Sequence, residues 1–147
     1  MAGLDLRAEL GRRPWWMNAL FAFCLYMALV YVPFDLFWKS VARDEEVWFG
    51  FLLHGWAAKL TEPIHWAIYA GGAYGFWKMR PWMWPWAAVY SAQISLGMLV
   101  WNLRDARGRG WTGGAVAALV FLIPTVALWR ARASFRAVPV EVDGSTR

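Results

Sequence analysis

A chain of 147 residues that is 60% hydrophobic and 18% aromatic, with thirteen tryptophans, lies well above the apolar share of a soluble domain. Its net charge of +5 comes from short basic clusters flanking apolar runs, not from one solvated face, which excludes nucleic acid as a partner and points to a bilayer. The single cysteine, Cys24, excludes an intrachain disulfide and a cysteine-rich metal site.

Residues 1–13 are polar, with Arg7, Arg12 and Arg13. The apolar stretch that follows is too long for a signal peptide and lacks an Ala-x-Ala-like site, so it reads as a retained helix. Pro14 opens this first segment, Trp15 to about Val32, with Asn18 its only strong polar interruption. Its length at 1.5 Å per residue is roughly 27 Å, enough to span. Pro33 ends it and Asp35 follows. Residues 34–46 form a loop closing on Asp44-Glu45-Glu46, acidic residues that suit the N-terminus of the next helix.

The second segment, Val47 to Trp77, would be roughly 46 Å long as one straight helix, too long for a perpendicular crossing. Pro63 either kinks one long helix or separates two, with Thr61 as N-cap of the second; the kinked helix is favoured. Gly71, Gly72, Ala73 and Gly75 permit close helix packing. Lys78-Met79-Arg80-Pro81 is a basic turn. The third segment, Trp82 to Leu103, contains Tyr90, Ser91, Gln93, Ser95 and Asn102. The fourth, Trp111 to Trp129, has no charge and contains Pro124; Arg130, Arg132 and Arg136 follow. The expected fold is all-α: an integral membrane bundle of four transmembrane helices in one domain, residues 1–136, with a disordered tail over 137–147.

Four spans put both termini on one side. With the N-terminus inside, the inner segments hold Arg7, Arg12, Arg13, Lys78, Arg80, Arg130, Arg132 and Arg136. The outer loops hold fewer, Lys39, Arg43, Arg104, Arg107 and Arg109. The expected location is therefore a membrane, a bacterial inner membrane, with cytoplasmic termini.

The second segment holds both histidines, a lysine and a glutamate, and ionisable groups at membrane depth are rare and usually functional. On one helix, His54, Glu62, His65 and Tyr69 share a face, which must turn inward because lipid cannot satisfy it. Glu62 and His65, three apart, are within hydrogen-bonding reach and suit a proton shuttle or a structural lock. In the third segment Tyr90, Gln93, Gly97 and Trp101 share one face and Ser91, Ser95 and Asn102 another, either of which can meet the second helix. Glu62-x-x-His65 is half of a carboxylate di-iron motif, but no other span supplies a carboxylate. Two histidines roughly 16 Å apart on one helix cannot ligate one haem. No metal and no cofactor is expected.

Asp35 ending the first span, Trp48-Phe49 opening the second, Pro63 within it, Pro85 and Tyr90-Ser91 in the third and Leu122-Ile123-Pro124 in the fourth follow an order that resembles the EXPERA family, over about residues 15–130. That family comprises the emopamil-binding sterol isomerases and sigma-two receptors. The resemblance implies a four-helix domain holding a sterol-like or cationic amphiphile in a cavity open to the bilayer. It places Asp35 at the first-helix acidic position, His54 and Glu62 on the second helix, and Trp101-Asn102 at the late tryptophan and asparagine, in reversed order. The isomerases' histidine-x-x-x-glutamate pattern and third-helix glutamate are missing, so ligand binding is the inheritance the resemblance carries.

The reading is of a small membrane protein binding a lipid-like or sterol-like ligand through Asp35, His54, Glu62, His65, Tyr69, Tyr90, Gln93, Trp101 and Asn102. If there is a reaction, Glu62 and His65 move its proton. The competing reading is a non-enzymatic accessory or scaffolding subunit, whose polar face meets a membrane-protein partner or a second copy.

Overall fold

The structure, a computed structural model, describes residues 10–136; residues 1–9 and the tail expected to be disordered, 137–147, lie outside the described residues. The chain is mostly helical, with four long helices: α1 Trp15–Phe37, α3 Glu62–Lys78, α4 Met83–Arg104 and α5 Gly110–Arg130. A single turn, α2 Trp56–Lys59, precedes α3, and a 3-10 turn, Ala131–Phe135, prolongs α5. Two stretches, Trp15–Phe37 and Gly110–Phe135, are long and apolar enough to cross a membrane.

Pro14 caps α1 in extended conformation, and its carbonyl accepts from the Met17 amide at 2.9 Å. Pro33 does not end this helix. A π turn, Met27–Tyr31, comes just before it, and regular helix resumes over Val32–Phe37. The wide turn precedes the residue that has no N–H to give. Within it the Ala28 carbonyl accepts from Trp66 Nε1 at 2.8 Å, which accounts for a tryptophan far from the ends of its apolar run.

The expected long second helix is corrected by the structure. Glu45–Trp48 and Phe51–His54 form an antiparallel hairpin, β1 and β2, with Glu45 opposite His54 and Trp48 opposite Phe51. Phe49 and Gly50 make its turn with φ of 52° and 86°, the positive values that match hairpin twist. Valine and aromatic residues fit a half-buried strand better than a helix. Helix begins only after Thr61, and Pro63 sits in the first turn of α3, where its missing N–H costs nothing. There is no kink at Pro63.

The hairpin is pinned to α4. A side chain at Gly50 would collide with Val100 and the Gly97 carbonyl, so both the turn and the close approach demand glycine there. Helices α4 and α5 pack closely along their length; Ser95 Oγ donates to the Ala118 carbonyl at 2.7 Å, and Ser91 and Thr125 are joined at 2.9 Å. Helix α1 packs on α3, whereas α3 and α4 meet sparsely. The apolar core, Met17, Phe76, Met83, Ala88, Leu128 and Phe135, gathers at the end away from the hairpin. There Arg13 donates to the Phe76 and Trp77 carbonyls, closing the C-terminus of α3.

Candidate functional site

Beneath the hairpin, five charged side chains from four elements are locked together. Asp35 comes from the end of α1, Lys39 from the loop after it, Asp44 from the residue before β1, Lys59 from α2 and Glu62 from the start of α3. The three carboxyl groups lie within 4.8 Å of one another and are buried, Asp35 4% exposed, Asp44 1% and Glu62 0%. Lys39 Nζ is 3.2 Å from both Asp35 and Asp44. Lys59 Nζ is 3.4 Å from Asp44 and 3.6 Å from Glu62, and donates to the Asp35 and Lys39 backbone carbonyls. Lys59 thus caps α1 as it neutralises the acids.

Three carboxylates could hold a cation, but here two ammoniums lie among them, so the chain supplies its own positive charge. Three acids against two lysines leave one negative charge in excess unless one acid keeps its proton. Burial pushes the Asp44 carboxyl up, but the Glu62 carboxyl facing it and the two lysines more than offset this and hold it below the ordinary range.

His65 belongs to a second group. Its Nδ1 is 3.0 Å from Glu46, and its ring stacks on Trp48 at 4.2 Å. One turn further along α3, Tyr69 meets Tyr90 of α4 edge to face at 6.4 Å and Phe23 of α1 at 5.8 Å. The indole N–H groups of Trp48 and Trp101 are buried and have no acceptor among the described residues. Such orphaned donors are uncommon and cost free energy.

The sequence-derived residues therefore divide. Glu62 and His65 do not pair: Glu62 faces Asp44 and Lys59, while His65 faces Glu46. Asp35 joins the Glu62 cluster. His54 stands on β2, exposed, 3.4 Å from Glu45, itself paired with Arg107. Tyr69 and Tyr90 meet between α3 and α4, Trp101 stands further along α4, and Gln93 lies beside Gly97 under the hairpin. Asn102 holds the α4–α5 turn, donating to the Met98 carbonyl at 2.8 Å and accepting from the Arg109 amide at 3.2 Å. Lys39, Asp44, Glu46 and Lys59 were missed as site residues. The available signal was Gly50 and Gly55 bracketing the short apolar run Phe51-Leu52-Leu53 after three consecutive acids, a hairpin pattern that brings Asp44 back to Lys59.

Comparison with family models, curated proteins and solved structures gives no match. The EXPERA likeness accordingly rests on its short motifs alone.

Proposed function

We propose that the chain is a four-span membrane protein that binds a lipid-like amphiphile between α3 and α4, just inside the hairpin, with both termini cytoplasmic. The observation that carries this reading is the pair of buried indole N–H groups without an acceptor among the described residues, Trp48, whose ring stacks on His65 of α3, and Trp101 of α4. A ligand oxygen, hydroxyl or carbonyl, would satisfy one or both, and His65, Tyr69 and Tyr90 would border it. The apolar body would lie along Phe23 and the helix faces toward lipid. Glu62 is outside this anchor; it holds the hairpin end together with Asp35, Asp44, Lys39 and Lys59. A proton-transfer reaction is not part of the proposal, since the Glu62–His65 relay does not form.

The test is native mass spectrometry with lipid extraction on the full chain in mild detergent. The comparison sets wild type beside Trp101→Phe, Tyr90→Ala and Glu62→Gln. A defined small molecule that co-purifies with wild type, falls about fivefold in Trp101→Phe for the loss of one hydrogen bond, and persists in Glu62→Gln supports the reading. A protein partner with no specific small molecule would replace it with the subunit reading.

A further inference from the structure

At the end opposite the hairpin, the described residues carry only positive charge. Every described aspartate and glutamate, Asp35, Asp44, Glu45, Glu46, Glu62 and Asp105, lies at the hairpin end. At the other end an open cleft of about 400 Å³ is lined by Pro81, Trp84, Arg132, Phe135 and Arg136. Its floor is Phe135, 2% exposed, whose ring lies 6.1 Å from Phe76. The Arg132 guanidinium lies over the Trp84 ring at 4.5 Å. Trp84 is itself fixed, its Nε1 donating to the Trp129 carbonyl at 3.1 Å and its ring 5.4 Å from that of Trp129. Neither Arg132 nor Arg136 has an acidic partner among the described residues.

On the far side of the Trp84–Trp129 pair, a second hollow of about 220 Å³ runs between α4 and α5, lined by Ala88, Val89, Ala92, Thr125, Val126 and Arg130 with Trp129. Apart from Thr125, Trp129 and Arg130, its walls are small aliphatic side chains. Its first lining residue, Ala88, is four positions along the chain from Trp84. A cationic, tryptophan-edged cleft and a mainly apolar groove between α4 and α5 are thus joined through the Trp84–Trp129 ring pair.

We propose that this pair of hollows binds an anionic phospholipid, with the phosphate between Arg132 and Arg136 and one acyl chain along Ala88, Ala92 and Val126. Guanidinium groups favour phosphate oxygens, and Arg132 is already oriented by Trp84. The site is separate from the α3–α4 ligand seam, which lies toward the hairpin, and does not depend on it.

The test uses the full chain in detergent, with native mass spectra recorded after adding phosphatidylglycerol or phosphatidylcholine of matched chains. The variants are Arg132→Gln and Arg136→Gln singly and together, Ala92→Trp to fill the groove, and Arg107→Gln at the hairpin end as a control matched in charge to each single variant. Thermal unfolding of each variant checks that it is folded. The expected result is preferential retention of phosphatidylglycerol, falling about fivefold for each cleft arginine removed, falling also in Ala92→Trp, and unchanged in Arg107→Gln. Equal retention of the two lipids, or an equal loss in Arg107→Gln, overturns the site. Displacement by millimolar inorganic phosphate with no effect of Ala92→Trp would assign the cleft to a free phosphate group and overturn the lipid assignment.

Discussion

Asp44 is the residue on which the hairpin end depends. It is buried, contacts both lysines and faces Glu62, and its carboxyl is held below the ordinary range. A carboxyl whose folded pKa is depressed adds stability that is complete above its unfolded value, about 3.9, and lost as pH falls through the folded one. Asp44's contribution to thermal stability in detergent should therefore be complete at neutral pH and be lost below about pH 4. Asp44→Asn should start lower at neutral pH and fall less in acid; equal acid sensitivity of the two proteins would contradict the assignment. Lys59→Met leaves buried carboxylates uncompensated and should cost about 3–5 kcal/mol. Adding Glu62→Gln should recover part of that loss, which a double-mutant cycle by denaturant unfolding measures. At this scale Glu62 and His65 stand out in the sequence because ionisable groups in apolar surroundings are rare. Their partners do not, because Asp44 and Glu46 precede and enter a hairpin that reads as the start of a helix, and Lys59 reads as a snorkelling side chain.

Among the elements, the hairpin is the departure from expectation with most consequence. Folding residues 45–54 as a hairpin takes 47–54 out of the expected second helix and relieves its excess length, brings Trp48 onto His65 and carries Glu46 to the same ring. Its apolar, aromatic composition satisfies a helix pattern as well as a buried strand, so periodicity alone does not separate them. Gly50 is where the decision is made. Gly50→Ala forces a side chain into positive φ, costing about 1 kcal/mol, and against α4, costing about 1–3 kcal/mol more. Hydrogen exchange at Val47 and Trp48 should rise by at least an order of magnitude while α4 and α5 keep their protection. In α1, the proline expected to end the helix is instead accommodated by a π turn, and Trp66 supplies a donor within that turn. Trp66→Phe should lower stability by about 1 kcal/mol, readable by the same unfolding assay.

The whole molecule is polar end to end. Among the described residues, one end has the apolar core and basic residues; the other has the acids, the hairpin and the Arg107–Glu45 pair. Helices of membrane length and the basic clusters are legible in the sequence because hydropathy and charge act over whole segments. The weak α3–α4 contact is not, because it depends on where the hairpin seats Gly50 on Gly97. In a Cys24→Ala background, single cysteines in place of Arg107 and Arg136 should react with an impermeant maleimide from opposite faces of sealed vesicles. Reaction from the same face would contradict a crossing by α5.

The most direct test of the central claim is photolabelling of the full chain in vesicles with a diazirine-bearing sterol, followed by peptide mapping. The account predicts adducts concentrated on the facing stretches around Tyr69 and Tyr90 and near Trp101, reduced in Trp101→Phe. Adducts confined to the outward positions of α1 and α5, such as Leu29, Leu119 and Ile123, all more than half exposed, would show a protein bathed in lipid with no ligand between α3 and α4.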